Sequence, residues 1–285
     1  MVGLVWHKEM IQTKIKITNK KLWANYVKPV SISAGIISFI LAFVDLNQRI
    51  RITIGFIYII FLLITLIVML YRANKETSKK LRINDTDVEI VFGDIFVQDG
   101  IKVIAFNEYF DTQVDNRIIS ETSLNGQYIL HHSDGKQHID GLIAREKHLE
   151  EAVVERNVYR KQGGKQIKYR LGTICPIDDY FIMAFTHFDE NDRAYLSLED
   201  YITCLMHMWT ELDYLYAGKP INITLFGSGI TRFDNGLISE QELLHLIVHT
   251  FEISKIKFGN KSSLKILLDK RIEDKINLYD IGKEK

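Results

Sequence analysis

The chain has 285 residues and balances 36 Lys and Arg against 36 Asp and Glu, so no basic surface marks it as a general nucleic-acid binder. Its two cysteines, Cys175 and Cys204, are too few for a disulfide framework and suit a reducing compartment.

The first predicted elements are apolar. Residues 52–71 carry no charge and stand between Arg51 and Arg72; at about 1.5 Å per residue such a helix spans about 30 Å, the thickness of a bilayer's hydrocarbon core. A shorter uncharged run, residues 29–44, precedes it across a brief turn. The pattern predicts a two-helix transmembrane hairpin over residues 28–72 behind a basic juxtamembrane segment, residues 1–27. Pro29 is expected in the first helical turn, where its missing N–H is harmless, with Trp23 and Tyr26 as interfacial anchors. Gly35, Ser31 and Ser38 are small enough to let helices pack closely. Two helices buried in a large soluble core fit less well, because the runs are long and basic at their flanks, and a second span directly after the first argues against a cleaved signal peptide. Lys8, Lys14, Lys16, Lys20, Lys21 and Lys28 precede the first span and Arg72, Lys75, Lys79, Lys80 and Arg82 follow the second, whereas the turn offers only Arg49 and Arg51. The positive-inside rule then puts both termini in the cytoplasm of a multi-pass plasma-membrane protein.

Residues 84–285 have soluble composition and are expected to form one domain. Strands are predicted over residues 86–92, ending at Gly93-Asp94, and 101–106, ending at Asn107. Residues 126–132 and 137–143 around Asp134-Gly135 suggest a β-hairpin, and residues 144–161 a helix stopped by Gly163-Gly164. A buried strand follows over residues 180–186. Ser197 is placed to open a helix over residues 201–216. After a strand over residues 221–226, Ser239 and Glu242 form a capping box for a helix to about Ser254, before a last strand over residues 264–268. This alternation argues for an α/β fold with a mixed, largely parallel sheet flanked by helices.

In such sheets ligands bind beyond the carboxyl ends of strands, where backbone N–H groups converge on anions. Three strand ends qualify: Gly93-Asp94-Ile95, Asn107-Glu108-Tyr109-Phe110-Asp111-Thr112 and Gly227-Ser228-Gly229-Ile230-Thr231-Arg232-Phe233. Glycines 227 and 229 let the backbone approach a diphosphate closely; read as a plain tight turn, the last segment binds nothing. Arg232 stands where a dinucleotide fingerprint needs its third glycine.

These three segments, in this order, resemble the macro domains, which bind ADP-ribose and its relatives. The resemblance implies that Asp94 accepts a hydrogen bond from the adenine amino group, that the backbone of residues 228–231 cradles the diphosphate, and that Phe233 lies against the ligand. It extends the expected site to Ile95, Asn107, Asp111, Thr112, Gly227 and Arg232. Hydrolytic macro domains carry Asn-Ala-Ala-Asn followed by a glycine-rich loop; here Ile104 holds the first asparagine position and residues 108–115 lack glycine. A receptor is therefore expected rather than an enzyme, with no catalytic residue, resident cofactor or metal. The alternative is a membrane-tethered hydrolase or transferase of ADP-ribose conjugates.

A macro domain behind two membrane spans resembles the membrane effectors of type II Thoeris antiphage systems. That resemblance implies a histidine-ADP-ribose signal made from NAD by a partner TIR-domain protein, ligand-promoted homo-oligomerisation and membrane damage. The remaining polar clusters have plainer readings. His245 and His249 lie one helical turn apart without a third ligand. His131, His132 and His138 flank a turn, Asp189-Glu190-Asn191-Asp192 lacks the glycine of a calcium loop, and no base stands beside Cys175 in the sequence to activate it.

Overall fold

Asparagines open both apolar helices. The side chain of Asn19 accepts the Leu22 N–H at 2.9 Å and starts α1 (Lys20–Phe43); Asn47 does the same for Ile50 at 3.0 Å and starts α2 (Gln48–Asn74). The computed structural model describes residues 15–282 except 45, 162, 190, 230, 234–237, 260 and 261. Lys8 and Lys14 therefore lie outside the described residues. The chain divides into two compact units, one comprising Met1–Thr77 with Asn277–Lys285 and the other Ser78–Ile276.

In the first unit both helices are long and apolar enough to cross a membrane, and no residue in the most apolar stretch of α2 is buried. Ile32, Phe39, Phe56 and Ile67 are each more than 60% exposed, which removes the reading of two helices inside a soluble core. The helix start differs from expectation. Capped by Asn19 and anchored by buried Leu22 and Tyr26, α1 begins well before Pro29, which therefore lies inside the helix. There its missing N–H leaves the carbonyl of Asn25 without its helical donor. Tyr26 is not an exposed anchor; its hydroxyl donates to the Leu62 carbonyl of α2 at 2.8 Å. The hydroxyls of Ser33 and Tyr58 meet at 2.8 Å in the same seam. Ser31, Gly35 and Ser38 are exposed, and a methyl on Gly35 would touch nothing within 4 Å, so this face is not what packs α1 on α2.

The second unit runs in chain order through β1 (Ser78–Ile83), β2 (Thr86–Phe92), β3 (Ile101–Asn107), α3 (Leu124–His131), α4 (Lys136–Arg145), β4 (Val153–Glu155), β5 (Lys168–Tyr169), β6 (Ile174–Ile177), β7 (Tyr180–Phe188), β8 (Ala194–Leu196), α5 (Leu198–Leu215), β9 (Ile221–Thr224), β10 (Arg232–Phe233), α6 (Glu240–Ser254) and β11 (Ser263–Leu268). Among the described residues nine strands form one mixed sheet in the order β1-β2-β11-β9-β3-β7-β8-β10, with β6 also paired to β7. The five central strands, β2 through β7, run parallel, while β1, β6 and β8 pair antiparallel. Central strands are buried on both faces: Val103, Ile104, Ile182, Met183, Ile223 and Ile266 are fully enclosed, as expected of a parallel sheet covered by helices.

The predicted helices at α5 and α6 form, with Ser197 capping Asp200 and Ser239 and Glu242 closing a reciprocal box. Two local predictions fail. The segment read as a hairpin forms α3 and α4: Gly135 does adopt a positive φ of 91°, but as the N-cap of a helix. Gly126 sits in the first turn of α3, where a Cβ would fall 2.1 Å from the Ser120 carbonyl oxygen, so glycine marks a close backbone crossing there. The helix expected over residues 144–161 is instead a 3-10 turn at Lys147–Ala152 followed by β4, whose Val153 pairs with Tyr169 in β5. Valines 153 and 154 suit a strand better than a helix.

Candidate functional site

Five parallel strands end side by side, and beyond them lies an open cleft of about 1020 Å³. Its floor is built from Gly93 and Asp94 after β2, Asp269 after β11, Thr224 at the end of β9 and residues 225–229 after it, Asn107 at the end of β3, and Thr186 and Phe188 of β7. Residues 120–125, leading into α3, form the opposite wall. Neighbouring strands are about 4.8 Å apart, so the floor from β2 to β7 measures roughly 19 Å. It suits an elongated ligand.

The β9 loop occupies the middle of this row. Gly227 takes a φ of 83°, and a Cβ there would come 3.1 Å from the Phe233 ring, so the loop needs glycine for both conformation and closeness. Tyr201, fully buried in α5, donates its hydroxyl to the Phe226 carbonyl at 3.1 Å, and the Ser228 hydroxyl donates to the Leu225 carbonyl at 2.7 Å. Phe233 packs edge-on to Tyr201 beneath the loop and is not among the cleft-lining residues. Ile230 and the side chain of Arg232 lie outside the described residues, whereas Ser228, Gly229 and Thr231 line the cleft.

At one end of the row Asp94 is exposed. One of its carboxylate oxygens accepts the Phe96 N–H at 2.9 Å, and Gln98 donates to its carbonyl at 2.9 Å, which fixes the turn and leaves the second oxygen to solvent. Ile95 is 2% exposed; it belongs to the core under this turn and also lines the cleft.

The segment after β3 is organised differently. The side-chain oxygen of Asn107 accepts the N–H groups of Tyr109 and Asp111 at 3.0 and 3.2 Å, and its amide donates to the Asp111 carboxylate at 3.1 Å. Asp111 and Thr112 lie outside the cleft lining, in a buried ionic cluster. Asp111 accepts the Lys165 N–H at 2.7 Å and Arg160 at 2.9 Å; a Cβ on Gly164 would crowd that carboxylate at 2.8 Å. Arg160 also binds Asp192 at 2.6 Å and lies 4.0 Å over the Tyr109 ring. Burial opposes its charge, but Asp111 and Asp192 outweigh burial and hold its pKa above the ordinary guanidinium value. Lys165 pairs with Asp140 at 2.6 Å, and Thr112 donates to the same carboxylate at 2.7 Å. Burial nonetheless lowers the Lys165 pKa, against the hydrogen bond to Asp140. Glu108, wholly buried, contacts His187 and lies 3.2 Å from Lys168.

This arrangement can hold an anion over the glycine loop and a polar ring or amino group at Asp94. Its buried carboxylates are committed to cations. Burial also pushes the Cys175 thiol up to about 12, which keeps it from acting as a thiolate. Among the described residues no cluster of three or more His, Cys, Asp or Glu is placed to hold a metal ion.

Sequence reasoning missed the wall at residues 120–125 and the residues Thr186, Phe188, Asp269 and Arg271, all of which line the cleft. Ser123, whose hydroxyl accepts the Gly126 N–H at 3.2 Å, was a readable helix-start signal before Leu124.

The family model described as Thoeris protein ThsA, Macro domain, matches residues 88–269. The Thoeris protein ThsA of Bacillus amyloliquefaciens (strain Y2) is 39% identical, over 98% of this chain and 93% of that relative. Among solved structures, an Oceanobacillus iheyensis macrodomain variant with ADPR is 14% identical with a TM-score of 0.43, covering 71% of this chain and 94% of that one. The same macrodomain with ADP is 15% identical with a TM-score of 0.41, covering 71% and 92%.

Proposed function

The chain belongs to the Thoeris ThsA macro-domain family, and from that premise we propose that it is the membrane effector of a Thoeris antiphage system. In this reading the cleft binds an ADP-ribose-derived signal, histidine-ADP-ribose made by a TIR-domain partner, and the occupied protein assembles and disrupts the plasma membrane. The observation that carries it is the central glycine loop in a row of five strand ends with Asp94 at one end. The diphosphate would lie on the N–H groups of residues 228–231 and the adenine amino group against the outward oxygen of Asp94. A receptor is favoured over a hydrolase by Asn107, whose side-chain oxygen and amide are both engaged by its own loop. The large exposed side chains of α1 and α2 support membrane insertion, since lipid would cover them.

Two measurements test this. Asp94→Ala removes an ionised acceptor; a hydrogen bond to such a group is worth roughly 1.5–3 kcal/mol, so calorimetry should show ADP-ribose affinity falling about tenfold to a hundredfold. Unchanged affinity in the folded variant would reject the adenine assignment. The full chain should also sediment with membranes and require detergent for release, with both termini protease-accessible from the cytoplasmic side only. Recovery in a detergent-free high-speed supernatant would reject membrane execution.

A further inference from the structure

The foot of α1 is held by the last described residues of the chain. The Asn19 amide donates to both carboxylate oxygens of Asp280 at 2.8 and 3.1 Å, Lys21 donates to the Gly282 carbonyl at 3.1 Å, and the Asn25 amide donates to the Tyr279 hydroxyl at 2.7 Å. Asn277 braces Asp280 from its other side at 2.7 Å. Ile15, Leu22, Leu278 and Ile281 are each no more than 2% exposed, so the polar contacts sit on a closed apolar base. This is a clasp with no role in the cleft.

The same stretch of chain begins at the cleft. Asp269 and Arg271 line it; Asp269 accepts the Arg271 N–H at 2.8 Å and starts a 3-10 turn at Lys270–Lys275. Ile272 and Ile276 are buried, and Lys275 pairs with Glu240 of α6 at 2.6 Å. Few residues separate Arg271 from Leu278, and little of that path is slack. On the other side α2 runs into β1 through residues 75–77. The clasp therefore lies wholly within the first unit, whose chain is continuous with the second at two places, after α2 at Thr77 and before the clasp at Asn277.

We propose that residues 269–282 are the transmission element of the nucleotide-gated reading, carrying a change at the cleft wall to the foot of α1 through the Asn19–Asp280 clasp. The inference rests on that reading for its input. A ligand shifts such an element only by binding one of its arrangements better than the other; Arg271, whose guanidinium donates through Nε to the Asp269 carboxylate at 2.9 Å, is a cation on the cleft wall that a diphosphate would draw from that partner. Without the clasp, the same change would end in a loose tail.

The test uses an exchange of partners. Asn19→Asp keeps the acceptor that caps α1, since Asp and Asn cap equally well, but sets two carboxylates face to face. Adding Asp280→Asn restores one donor and one acceptor. Full-length protein and both variants are reconstituted into phosphatidylglycerol–phosphatidylethanolamine vesicles holding a trapped dye, and ADP-ribose is titrated. Asn19→Asp should bind ADP-ribose within about twofold of the parent yet lose at least tenfold in ligand-dependent leakage, and the double variant should regain it. Parent-like leakage from Asn19→Asp, or no recovery in the double variant, overturns the coupling while leaving the nucleotide reading intact. Absence of ADP-ribose binding by the parent overturns both. Hydrogen exchange gives an independent readout: ADP-ribose should change protection of residues 15–25 and 277–282 together, and a response in neither, or in only one, rejects the clasp as the link.

Discussion

Gly229→Glu is expected to abolish nucleotide binding while leaving the fold intact. A Cβ at this position meets nothing within 4 Å and the backbone is not in the left-handed region, so the side chain costs the protein little. It would project into the cleft, beside Ser228 and Thr231, bringing bulk and negative charge to the proposed diphosphate position. Affinity for ADP-ribose should fall at least a hundredfold, about 2.8 kcal/mol, with a melting temperature within about 2 °C of the parent. In cells the variant should lose signal-dependent dye entry. Retained affinity would show that the loop holds no diphosphate. Gly227→Ala makes the contrasting control, because there the positive φ and the nearby Phe233 ring predict damage to the loop itself.

Arg160→Ala is expected to destabilise the second unit about as strongly as truncating a large core side chain. It strips the cation from Asp111 and Asp192, whose side chains are 1% and 3% exposed, and breaking a buried pair from one side costs roughly 3–5 kcal/mol. The melting temperature should drop on the order of 10 °C, read from the fluorescence of Trp209, which is fully buried against Phe251. Arg160→Lys should recover only part of the loss, since an ammonium cannot reproduce the planar fork that spans two carboxylates. A loss under about 1 kcal/mol would mean that the two carboxylates find water or protons at little cost.

The parts of the fold legible in the sequence are those in which local chemistry and tertiary contact agree. Ser197 and Ser239 cap helices whose apolar spacing already announced them, and the β-rich runs ending at Gly93, Asn107 and Gly227 became strands of one parallel row, β2 separated from neighbouring β9 and β3 by β11, whose ends meet at the cleft. Asp94 and the β9 loop were readable because a strand end followed by glycine has few other uses. Asp134-Gly135 misled because a positive φ serves a helix cap as well as a hairpin. Asp111 and Thr112 were expected on the ligand side, but they are held by partners 28 to 54 residues away, Asp140, Arg160 and Lys165, which no local pattern announces. The wall at residues 120–125 and Arg271 entered the cleft only through the crossing of the sheet.

Pro29 gives the first helix a soft joint. The turns below it carry Lys21 and Asn25, with Asn19 as their N-cap, and the turns above carry much of the exposed apolar surface. Because the missing N–H interrupts the hydrogen-bond ladder between these parts, a pull on the lower turns is not passed upward as the sliding of a rod. It would be taken up at Pro29 as a change of angle, between the bond that ties α1 to α2 below the joint, Tyr26 to Leu62, and the one above it, Ser33 to Tyr58.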